Sequence, residues 1–210
     1  PLNWVLIIFY KLWGIAGLQH GYTILYVVHL LIAASGMSYL LKELDRSQVA
    51  QFLGGFVWVF GGYVISRISF ISMVWSFAWI SWMLLCVIRI RNKQTWFDRR
   101  YFFLLTIFTI LQLLSGHAQT TFFTFILVGI ITVFPLKDTI RETANDILNN
   151  VFALFTAVCI SAIQLIPTLE YLAQSQRSSA VGYEYATNFS FWPLRIFSLF
   201  FGGFWGNPGL

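Results

Sequence analysis

The chain has 210 residues, of which 58% are hydrophobic, 19% aromatic and 10% charged, with a formal net charge of +5. A soluble domain carries about 25% charged residues, so this composition excludes an ordinary water-soluble domain, and its apolar content excludes disorder. The 13 Lys and Arg are scattered among 22 Phe, 9 Trp and 9 Tyr and form no basic face for a nucleic acid; a membrane protein remains.

Uncharged runs locate the crossings, because an ionisable residue at bilayer depth is costly. Residues 1–18 are apolar and aromatic but interrupted by Lys11, Gly14 and Gly17, which predicts a helix lying in the interface. Lys11 and Lys42 bracket 30 uncharged residues, with a first span at 22–41. The next runs, Ser47 to Ser66 and Ile68 to Ile88, hold 20 and 21 residues and predict spans at 48–65 and 70–88. Tyr101 to Leu136 is an uncharged run of 36 residues. As one helix it would be about 54 Å long against a hydrocarbon core of about 30 Å. Its centre carries the polar cluster Ser115-Gly116-His117-Ala118-Gln119-Thr120, so a hairpin of two spans, 99–115 and 120–136, is expected, with His117 at or just beneath a membrane face. Ile147 to Leu169 supplies a sixth span at 147–166. Pro167 suits the first position of a new helix, and 167–210 reads as an extracytoplasmic loop. The expected fold is an all-α, polytopic transmembrane helix bundle of about six spans in one domain.

Basic residues set the orientation. The connection after the third span holds Arg89, Arg91, Lys93, Arg99 and Arg100 against Asp98 and is placed in the cytoplasm. Parity then puts Lys42, Arg46, Lys137 and Arg141 inside, and Lys11, Arg67, Arg177 and Arg195 outside. His20, Arg67, His117, Gln119, Glu170, Arg177 and Glu184 all fall on the extracytoplasmic face or within a turn of it, with Gln112 and Gln164 slightly deeper.

Several of these side chains could carry chemistry there. His117 offers a ring that donates or accepts a proton beside the Gln119 amide, which can bond a sugar hydroxyl or a phosphate oxygen; both could equally satisfy backbone groups freed at the turn. Arg67 can grip a phosphate bidentately or snorkel to lipid headgroups. Glu170 and Arg177 are seven residues apart, two turns on one helix face, and serve either a shared cavity or a solvated surface. His29, within the first span, has no ligand at i+3 or i+4, and is expected to hydrogen-bond a neighbouring helix rather than hold a metal. Cys86 and Cys159 lie in apolar runs without disulfide or metal spacing. No phosphate-binding glycine loop or nucleotide fingerprint is present, which disfavours a cytosolic activated donor and leaves a lipid-borne one.

Three local patterns resemble the bacterial YfhO-type multi-spanning proteins of the GT-C glycosyltransferase superfamily. They are Leu114-Ser115-Gly116-His117-Ala118-Gln119, then Gln164-Leu165-Ile166-Pro167-Thr168-Leu169-Glu170 with Ser175 to Arg177, then Tyr183 to Ser190 leading to Trp192-Pro193 and Phe201-Gly202. The opening Pro1-Leu2-Asn3-Trp4 resembles the point just after that family's first extracytoplasmic loop, so an internal fragment of a longer protein is expected. The resemblance implies sugar transfer from a polyprenyl-phosphate donor to a cell-envelope glycopolymer or glycolipid at the outer face of the bacterial cytoplasmic membrane. It carries over His117, Gln119, Glu170 and Arg177 as site-lining residues, with Arg67 and Arg177 the cations available to steady a leaving phosphate. The catalytic acidic residue of the family sits in the loop that would precede Pro1, which also leaves room for a divalent metal held in part by that loop. Ala118 stands where the family usually has Pro. A transporter or flippase of lipid-linked sugars, hinted at by Gly54-Gly55 and Gly61-Gly62, and a non-catalytic subunit of an envelope-assembly complex are the competing readings.

Overall fold

The computed structural model describes residues 3–92, 99–134, 140–175 and 187. They are helical: α1 (Asn3–Glu43), α2 (Gln48–Phe60), α3 (Gly62–Ser66), α4 (Ile71–Phe77), α5 (Ile80–Asn92), α6 (Arg99–Leu114), α7 (Ala118–Val133), α8 (Ile140–Ile160) and α9 (Ala162–Gln174). Pro1–Gln164 and Leu165–Leu210 are separate compact units.

Four helical stretches are long and apolar enough to cross a membrane: Leu6–Glu43, Gln48–Ser66, Ile71–Asn92 and Thr143–Ile160. The remaining two of the six expected crossings are α6 and α7, 16 residues each and so about 24 Å long at 1.5 Å per residue. They form the arms of a hairpin that turns at Ser115–His117.

Side-chain distribution along these helices is that of a bundle in lipid. On α7 the buried positions are Thr120, Thr121, Thr124, Val128 and Thr132, while Phe122, Phe123, Ile126 and Ile130 are exposed. On α2, Gly55 and Val59 are buried, and Val49, Phe52, Leu53, Phe56 and Val57 are exposed. Small and hydroxyl-bearing residues face the neighbouring helices, where close packing and interhelical hydrogen bonds hold a membrane bundle together, and bulky apolar residues face outward where lipid tails lie.

Glycine sets one of the close approaches. A Cβ on Gly55 would stand 2.6 Å from Ser38 Oγ and 2.8 Å from the Ala34 carbonyl oxygen, so α1 and α2 cross with backbones nearly touching. Gly54-Gly55 is therefore a packing contact rather than a flexible point. Gly61 is different: its extended backbone (φ −63°, ψ 153°) ends α2 and opens α3, breaking the second crossing.

The amino-terminal segment doubles back instead of running straight. Gly14 takes φ 64°, ψ −147° inside α1, a conformation open to glycine and strained for other residues. The arm before it returns along the helix after it, so Phe9 packs against Gly17 and Gly21, and Leu6 meets Leu25 and Trp75 in one cluster. At the other end of the chain, the helix containing Pro167 starts five residues earlier than expected, at Ala162 after Ser161. Pro167 lies inside α9 and removes the backbone bond to the carbonyl four residues before it.

The bundle end rich in Lys and Arg is tied by ionic contacts. Arg89 pairs with Glu43 and lies over the Tyr101 ring at 5.8 Å. Arg91 Nη1 donates to the carbonyls of Ile131 (2.9 Å) and Phe134 (2.8 Å), capping α7 at its carboxyl end.

Candidate functional site

At the opposite end, the turn from α6 into α7 is built by local chemistry. Ser115 N–H and Gly116 N–H donate back to Gln112 and Leu113, closing α6. Gly116 has φ 77° and reverses the chain, and a Cβ there would sit 3.7 Å from Gln164 Nε2. His117 is the N-cap of α7: its Nδ1 accepts the Thr120 backbone N–H at 3.2 Å and lies 2.6 Å from Thr120 Oγ1. A backbone N–H only donates, so Nδ1 is unprotonated, the Thr120 hydroxyl also donates to it, and the ring proton is on Nε2. Burial pushes the His117 pKa below its ordinary value of 6.5, in keeping with a neutral ring.

From this cap a polar column runs into the bundle. Thr124 Oγ1 donates to the Thr120 carbonyl at 2.8 Å. Gln112, fully buried, donates through Nε2 to Thr124 Oγ1 at 2.9 Å and to the Ser76 carbonyl at 3.1 Å. The amide orientation follows from its partners: the Thr124 proton is already committed to Thr120, and a carbonyl can only accept. Gln112 thus joins α6 to α4 and α7.

Beside the column lies an open pocket of about 350 Å³, whose lining includes Arg67, Gln119, Thr120, Thr124, Trp58, Tyr63 and Phe77. That volume is at the lower end for small-molecule sites, about 300–1,000 Å³. Trp58 stacks on Phe77 with centroids 4.5 Å apart, and Tyr63 tilts against the same ring at 5.7 Å. Arg67 is exposed, 5.9 Å over the Phe70 ring, and has no carboxylate partner among the described residues. The pocket therefore combines a guanidinium, an amide and two threonines with an aromatic and aliphatic wall. Such a set places hydrogen-bonding groups and a positive charge beside an apolar face.

Of the five expected substrate-binding residues, Arg67 and Gln119 share this pocket. His117 stands behind its wall and reaches it through Thr120. Glu170 is exposed on α9, in the unit from Leu165 onward. Arg177 lies outside the described residues, as do Glu184 and the aromatic and glycine-rich stretches after it. Sequence reasoning placed Thr120 in the polar cluster of the turn without giving it a role and missed Thr124, although their spacing of four, continued by Val128 and Thr132, marks one helix face. It also missed Trp58, Tyr63 and Phe77, which meet across separate helices.

His29 is buried, donates from Nδ1 to the Leu25 carbonyl of its own helix at 2.7 Å, and stacks on Trp75 at 4.9 Å. The expected bond to a neighbouring helix is replaced by this ring contact. Among the described residues, no three of His, Cys, Asp and Glu gather to hold a metal ion. No protein-family model, curated protein or solved structure matches the chain.

Proposed function

We propose that the chain is the membrane-embedded part of a GT-C-type glycosyltransferase of the YfhO kind, with all six apolar segments, including the short arms α6 and α7, crossing a bacterial cytoplasmic membrane. Its donor is a polyprenyl-phosphate sugar and its acceptor a hydroxyl of a cell-envelope glycopolymer or glycolipid. In the reaction, the acceptor oxygen attacks the anomeric carbon and the bond from that carbon to the lipid phosphate breaks. The phosphate leaves with the electron pair, and the acceptor proton passes to a carboxylate base. Arg67 steadies the charge growing on the phosphate, and Gln119 orients a phosphate oxygen or sugar hydroxyl. The apolar wall of the pocket takes the sugar face or the first isoprenoid units. Glu170 and Arg177 serve as supporting groups for the reaction, and no residue of the chain is assigned as the base.

The observation that carries this reading is that Arg67 and Gln119, far apart in sequence, line one pocket with an aromatic wall. The broken crossing at Gly61, next to that pocket, favours a second reading, movement of a lipid-linked sugar across the membrane. One experiment separates the two. Detergent-solubilised protein given a radiolabelled polyprenyl-phosphate sugar and a glycan acceptor should yield labelled glycan, with the yield lost in Arg67→Ala. Translocation in proteoliposomes without transfer would replace the enzyme by a flippase.

A further inference from the structure

We propose that His117 is a positioning residue: as a neutral imidazole it closes the first turn of α7 and holds Thr120 and Gln119 in the pocket wall, so that acidifying this face loosens the site. The inference uses the pocket reading above only in its binding arm.

Three features of the turn make the protonation state matter. Nδ1 accepts the Thr120 N–H, and a proton on Nδ1 would set donor against donor. The first-turn N–H groups of α7 carry the positive end of its dipole, which repels an imidazolium. Thr120 also transmits any shift, because its carbonyl takes the Thr124 hydroxyl and Thr124 in turn takes Gln112.

Among the described residues of the unit up to Gln164, the elements around the turn offer a cation no compensation. Neither α4 nor α7 contains a titratable side chain, and on α8 the outer half holds Cys159 alone. On α6, Arg99, Arg100 and Tyr101 are at the far end, as are Arg89 and Arg91 on α5. Gln164, opposite Gly116, is neutral, and the charged group on the shared pocket is Arg67, itself a cation. Burial lowers the His117 pKa from 6.5, so folding favours the neutral ring. The stability this contributes is fully present above about pH 6.5 and is lost as the pH falls through the depressed folded value.

The test is amide hydrogen exchange over residues 117–124 in the full chain, held in nanodiscs of phosphatidylethanolamine and phosphatidylglycerol, at pH 7.5 and 5.0 and corrected for intrinsic exchange. Wild-type protection at Thr120 should fall roughly fivefold or more on acidification, the scale of a lost N-cap. His117→Asn, whose side chain caps without titrating, should stay protected at both pH values, and His117→Ala should be unprotected at both. Farnesyl phosphate itself loses charge between these pH values, so its affinity is read as the ratio of wild type to His117→Asn at each pH, and that ratio should fall roughly fivefold on acidification. Wild-type protection that ignores pH, or an Asn variant that loses protection with acid as the wild type does, overturns the proposal. Failure of farnesyl phosphate to bind at either pH would sink the pocket reading, while the exchange data would still decide the role of His117.

Discussion

The two ends of α7 are finished in opposite ways, and so are the two ends of the bundle. At the basic end, cations are absorbed into the scaffold: Arg91 caps the last carbonyls of α7, and Arg89 is divided between Glu43 and the Tyr101 ring. At the other end the cap is a neutral imidazole, and Arg67 stands at a pocket with no carboxylate on it among the described residues. Arginine at the first end answers the partial negative charge of helix carboxyl termini. At the second it is left to answer a charge that the described residues do not supply. The difference separates an end whose arginines are bound into the scaffold from one whose arginine stands open at a pocket, although both carry arginines on apolar helices.

The comparison breaks most sharply at Arg67. Replacing it with Ala should weaken farnesyl phosphate binding about 10–100-fold, the range for a lost charge-assisted hydrogen bond, while thermal unfolding in detergent stays unchanged. A parallel loss of stability would place Arg67 with the scaffold arginines. Arg91→Ala should do the reverse. It strips two carbonyls of their donor, at a cost of about 1–3 kcal/mol in equilibrium unfolding, and should leave ligand affinity alone.

Gln112→Leu sits between these cases. It deletes two interhelical bonds behind the pocket and should cost about 1–2 kcal/mol, the upper range for such bonds in a membrane, with a smaller loss of affinity as Thr124 relaxes. Glu43→Gln should have the least effect. Glu43 is only 11% exposed, but its partner Arg89 has a 41% exposed side chain and rehydrates when the charge is removed, so the loss stays at about 1 kcal/mol. A larger destabilisation would show the basic end to be more than an ordinary salt-bridged surface.

Composition and charge spacing alone determined that the chain is helical, with helices long and apolar enough to cross a membrane. They also determined that the long run from Tyr101 turns at Ser115–His117, and that Arg67 and Gln119 belong to the end away from the basic connector. These are properties of runs and periods, and the cost of burying charge in lipid writes them directly into the order of residues. The length of α6 and α7, the fold-back at Gly14 and the placement of Pro167 inside α9 came only with the three-dimensional structure. Each depends on which neighbour satisfies a backbone group or admits a close approach. The site divides along the same line: Arg67 was legible as a lone charge between apolar segments, whereas the Trp58–Phe77 stack and the Gln112–Thr124 bond join separate helices. Spacing within one helix says which residues share a face. Only packing decides which face of another helix they meet, because in lipid that choice rests on shape and hydrogen bonding rather than on apolarity.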